Sequence, residues 1–183
     1  AGPLAALTLA AALTLLPPAM RPASAEVSQA EAIAVVAELY ATHAALTGTG
    51  QPGAVASRTM RQRFFGGPDA AMLPELARRL HPLTGTGEAA VSDFSIGAPQ
   101  KADGAVTVPV TVTAGVRRTV LSVTVAGTPE GPKVVDIASG QGDERWSMRN
   151  MLAVLARLAP PADTAAAPGT DRAAPTGSAA EGS

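Results

Sequence analysis

Three side chains have the types that acid–base chemistry uses: the chain's only two histidines, His43 and His81, and Asp136, set between Val135 and Ile137. A histidine can take or give a proton near neutrality, and a carboxylate held against it would fix its tautomer and strengthen it as a base. Their spacing matches no familiar arrangement: there is no H-x-x-x-H or H-x-x-E pair to hold a metal and no serine in a G-x-S-x-G elbow. Zero cysteines remove thiol nucleophiles, disulfides and Cys-ligated zinc or iron–sulfur clusters. His43 falls near a helix end and His81 precedes Pro82 in a loop, so surface or helix-end positions are expected for both. The two could still meet across a cavity, with the first and third helices as neighbours.

The stretch "GQGDERW", residues 140–146, offers a G-x-G but lacks the third glycine and the long βαβ unit of a dinucleotide site. Asp143 and Glu144, just ahead of Ser147 and a helical pattern, suit the positive end of a helix dipole without any substrate. Asp136 should point away from the face that Val135 and Ile137 share. If covered, it would need a cation such as Arg117, Arg118 or Arg145. No cofactor or metal is expected.

One region carries surplus positive charge: Arg58, Arg61, Arg63, Arg78 and Arg79 against Asp69 and Glu75. With Phe64 and Phe65 beside them, Arg58, Arg61 and Arg63 could touch an anionic lipid surface. A solvated face with two core phenylalanines is the simpler account. Net charge is −1, and residues 26–159 hold twelve Lys and Arg against twelve Asp and Glu, which argues against nucleic acid as a partner.

The elements that must position these groups are legible in period and punctuation. "SQAE" at 28–31 is a capping box, and Ile33, Val36, Ala37, Tyr40 and Ala44 follow at helical spacing until "TGTGQPG". A second helix is expected over about Val55–Phe65 and a third over about Ala70–Leu80, with Pro74 in or near its first turn. The period then becomes two: Phe94 and Ile96; Val106, Val108, Val110 and Val112; Leu121, Val123 and Val125; Val135 and Ile137. These read as four strands, joined by the turn-forming "KADG", "TAGVRR" and "GTPEGP" and so paired antiparallel. Pro109 cannot donate to a ladder, which predicts an edge strand or a bulge there. Ser147 can cap a last helix bearing Met148, Met151, Leu152, Leu155 and Leu158.

Ahead of this domain, "LAALTLAAALTLL" at 4–16 and the A-x-A of Ala23 and Ala25 read as a signal peptide over 1–25, clipped at its start because no Met or basic segment precedes it. Uncleaved, it would tether the domain to the membrane; cleaved, it leaves a periplasmic or secreted protein. Residues 160–183, rich in Pro, Ala and Gly, carry no large apolar side chain and are expected to be disordered. One domain is therefore expected over 26–159: α+β, N-terminal helices packed on a four-stranded antiparallel meander, followed by a C-terminal helix.

That order, helices and then a meander, resembles the cone-shaped α+β fold of the nuclear-transport-factor-2-like superfamily over about residues 27–158. The stretch "KVVDIASGQGDERWSMRNMLAVL" looks like small exported bacterial proteins of that superfamily, and somewhat like periplasmic phospholipid shuttles. No catalytic residue of the superfamily's enzymes carries over to a position here. The resemblance implies an exported, non-enzymatic domain of the cell envelope that binds a small, apolar ligand or an envelope protein, with Tyr40, Phe64, Phe65, Phe94 and Trp146 lining a cavity. A lipid-shuttle-like carrier, and a small hydrolase or isomerase using Asp136 with His43 or His81, are the alternatives.

Overall fold

The computed structural model describes residues 26–140 and 145–158. The segment read as a signal peptide, Asp143 and Glu144, and residues 159–183 lie outside the described residues. The described residues are α+β, with four α-helices and one antiparallel sheet among them. Helix α1 spans Gln29–Gly48, and the Ser28–Glu31 capping box closes its N-terminus in both directions. Its buried side chains are Ala32, Val36, Leu39, Tyr40 and His43, a stripe turned from the expected one, so that Ile33, Ala37 and Ala44 are only half-buried. Alanines lie all round this helix, and the pattern alone therefore does not set which face turns inward.

Helix α2 is shorter than expected, Arg58–Phe64 with Ser57 as its N-cap. The expected third helix is two pieces, a 3-10 turn over Pro68–Met72 and α3 over Leu73–Ala77, with Pro74 in the first turn where a missing N–H costs little. Helix α4, Met148–Leu158, closes the described chain.

Among the described residues the sheet has six strands where four were expected. They are β1 Asp93–Ile96, β2 Gln100–Ala102, β3 Ala105–Ala114, β4 Arg117–Thr128, β5 Gly131–Ser139 and β6 Trp146–Ser147. The order is β1-β3-β4-β5-β6, with β2 also on β3. The two extra strands are too short to show a period. Lys101 and Ala102 of "KADG" are strand, and Asp103 and Gly104, both at positive φ, make the two-residue turn to β3.

Pro109 lies in an interior strand and at no bulge, since β3 pairs β4 along its whole length and β1 and β2 on its other side. The missing N–H faces the other side, where β1 covers 110–113 and β2 covers 105–107, leaving a break between them. Gly97 N donates to Pro109 O there at 2.7 Å. The bulge lies instead between β4 and β5 at Thr124/Val125, with Val135 the extra residue. It sends Val134 and Ile137 into the core and leaves Val135 and Asp136 half-buried, so Val135 and Ile137 do not share a face. One apolar cluster joins α1, α2 and α3 to the inner face of the sheet, through Val106, Val108, Val110, Leu121, Val123 and their neighbours.

Candidate functional site

The structure brings the two histidines together. Their ring centroids are 4.9 Å apart, and His43 is fully buried and His81 nearly so, not the surface positions expected. His43 accepts from Ala54 N at Nδ1 (3.1 Å) and donates from Nε2 to Ala89 O (2.7 Å). The backbone donor at Nδ1 fixes the tautomer, and both ring nitrogens are spent tying α1 to the segments at 54 and 89. Gly53 lies so close that any Cβ there would overlap the His43 ring.

His81 has its backbone bridged to Thr86, while its Nδ1 is buried without a partner among the described residues. Burial lowers its pKa to about 3, with the adjoining His43 ring adding to the effect. Burial also lowers that of His43, against the Ala89 carbonyl, which favours the charged ring. The His43 ring is thus pinned between two backbone groups, and burial favours the neutral form of both rings. His81 does face a small surface cleft of about 310 Å³ below the end of α1.

Asp136 is committed elsewhere. Ser147 Oγ donates to its carboxylate at 2.9 and 3.0 Å, and Arg149 N donates to Oδ1 at 3.0 Å. It thereby caps α4 from the neighbouring strand, with Ser147 also reached by Asn150 N at 3.4 Å. None of Arg117, Arg118 or Arg145 forms an ion pair with it among the described residues. Asp136, Arg145, Trp146 and Asn150 line a polar cleft of about 550 Å³.

The five aromatic residues expected around one cavity are dispersed. Tyr40 and Phe64 are in the core, Tyr40 stacks on half-buried Phe94 with centroids 5.5 Å apart, and these three line none of the four clefts described here. Burial raises the Tyr40 phenol well above its usual range, and its hydroxyl has no partner among the described residues. Trp146 is half-buried in β6. Phe65, itself 5% exposed, reaches a cleft of about 810 Å³, and Trp146 the polar one of about 550 Å³. The rings of Phe64 in α2 and of Phe65 at its C-cap are both buried beside the arginines of α2.

The largest of these four clefts, about 810 Å³, lies between α2, the glycine pair at 66–67 and the β4–β5 turn. Gly66 N donates to Val134 O at 3.0 Å and Phe65 bridges Val134, which lays this segment along β5. Gly67, at φ 102, takes the turn into the 3-10 segment, a conformation open to glycine. The cleft's charged side chains are Arg58, Arg61, Lys133 and Glu130, three cations against one carboxylate. Lys133 is 8% exposed, and its Nζ donates to Gln62 O and Arg63 O, both at 2.7 Å. Those carbonyls end α2 without intrahelical partners, so the ammonium sits at the helix's negative end. Among the described residues its third N–H has no hydrogen-bond acceptor, and Glu130 pairs with the ammonium at 3.9 Å, beyond hydrogen-bond reach. Arg61 spends Nη1 on Val55 O and Ala56 O, at 3.0 and 2.6 Å. Exposed Arg58 makes no ion pair among the described residues.

Sequence reasoning found the arginines of this cleft but missed Lys133, Gly66 and Gly67, because the pairing of α2's end with β5 joins residues some seventy positions apart. Among the described residues no three His, Asp or Glu side chains converge as a metal site would require, and no helix is long and apolar enough to cross a membrane. Comparison of the chain with protein-family models, curated proteins and solved structures finds no match, so the functional reading rests on this geometry.

Proposed function

We propose that the chain is an exported, non-enzymatic domain that binds a small ligand in a surface cleft, on the cone-shaped α+β plan it resembles. The observation that carries this reading is the cleft of about 810 Å³ with a nearly buried ammonium in its lining and two guanidinium groups around it. Concave sites with a few convergent polar groups are where ligands bind. Export is supported by the apolar run at 4–16 and its A-x-A signal.

The enzyme reading has less support. A dyad needs a carboxylate in hydrogen-bond reach of a histidine, whereas His43 is bonded to Ala54 and Ala89, and Asp136 to Ser147 and Arg149. A shuttle holding lipid between helices and sheet would need space where Tyr40 and Phe64 pack.

Native mass spectrometry of protein purified from an exporting host tests the reading. A discrete small-molecule adduct that survives desalting supports it. Protein of bare mass under every extract tried, or conversion of an added compound to product, overturns it.

A further inference from the structure

The cationic cleft does not end at Gly67. A second, more apolar cleft of about 300 Å³ shares Phe65, Gly66, Gly67 and Ala70 with it and continues between Leu73, Val135, Met148 and Leu152. The two adjoin at these shared residues, where the glycine pair adds no side chain of its own. The bulge in β5 serves this slot: displaced from the core alternation, Val135 becomes part of its wall. Charge divides between the two clefts. The first cleft has three cations to Glu130 alone, whereas the slot has Asp69 and Arg149, one of each sign, among otherwise apolar or glycine residues.

We propose that the joined clefts bind a single-chain amphiphile with an anionic head. The head would lie against Arg58 and the unspent N–H of Lys133, and the alkyl chain would pass over Gly66 and Gly67 into the slot. Lys133 suits this role because it is nine-tenths buried and its position is fixed by two backbone carbonyls, so the remaining donor is held in place before ligand arrives. Arg58 adds a second charged donor with no competing ion pair among the described residues. The apolar walls remove the alkyl chain from water, and the short slot selects one chain over two.

This inference rests on the ligand-binding reading, and one experiment separates their failures. The full chain, with isoleucine, leucine, valine and methionine methyls labelled, is titrated with decanoate, decyl phosphate, decanol and inorganic phosphate, and binding is followed by NMR. The expected result is saturable shifts at Leu73, Val135, Met148 and Leu152 with either charged amphiphile, and with decanol at least about ten-fold weaker, the worth of one charge-assisted contact. Arg58→Glu should weaken decanoate by a similar factor and leave the melting temperature unchanged. Decanoate against decyl phosphate then tells a carboxylate head from a phosphate one.

Decanol binding the slot as tightly as decanoate, or Arg58→Glu without effect, would overturn the anionic head and keep a ligand cleft. Inorganic phosphate displacing decanoate without the methyls shifting would overturn the alkyl chain's place. No shift with any probe would overturn the amphiphile while native mass spectrometry still decides whether some other ligand binds.

Discussion

Acid should loosen this protein well before its carboxylates titrate, through the histidine pair. In the unfolded chain each histidine titrates at about 6.5. Folded, His81 is held down to about 3 by burial and then by the neighbouring ring. The unfolded state therefore binds more protons across this window, and stability rises with pH: it is fully present above about pH 6.5 and is lost as pH falls toward about 3. At about pH 5 the unfolded His81 is some 1.5 units below its pKa, worth about 2 kcal/mol relative to about pH 7.5, and His43, shifted the same way, adds to it. Urea unfolding at the two pH values measures the loss. His81→Phe keeps a flat buried ring, sacrifices no hydrogen bond of the unpartnered Nδ1, and should remove about 2 kcal/mol of the pH dependence. Equal losses in wild type and His81→Phe would refute the reasoning, because the proton uptake would then lie elsewhere.

Tyr40→Phe should leave stability unchanged or raise it by up to about 1–2 kcal/mol, since it removes a buried hydroxyl without a partner; thermal unfolding checks the sign. Gly53→Ala should cost about 1–3 kcal/mol by forcing a methyl onto the His43 ring, read by urea unfolding and by loss of the His43–Ala54 coupling in NMR. Asp136→Asn should cost about 1–2 kcal/mol through the weakened cap on α4, with early exchange of the Arg149 amide as its mark. Trp146→Ala, from a half-buried position, should cost about 2–3 kcal/mol, below the penalty for a fully buried indole; near-normal melting would show that the ring does not hold β6 to the Gly85 loop.

What was readable in the sequence is what local physics decides. The capping box begins α1, the alternating valines make β3 with their faces as expected, and Met148 and Leu152 seat α4. Long-range pairing decided the rest. Pro109 signalled an edge because a missing donor normally means one, yet the break between β1 and β2 supplies that edge inside the sheet. His43 looked peripheral by its place near a helix end, and only Ala54 and Ala89, brought in by the loops, make its burial affordable. The bulge at Val135 has no local signature and turned a two-residue alternation into a three-residue one. The candidate site fared likewise: Arg58 and Arg61 stood out as charge, but the cleft exists because β5 brings Lys133 to the end of α2.

Hydrogen exchange on protein carrying its co-purified ligand, compared with the same protein stripped of it, tests most directly where ligand sits. Protection is predicted at the amides of 62–67 and 131–135, around Lys133 and the glycine pair, with α1 unchanged. Protection confined instead to 136–140 and 145–150, or to the cleft beside His81, would contradict it.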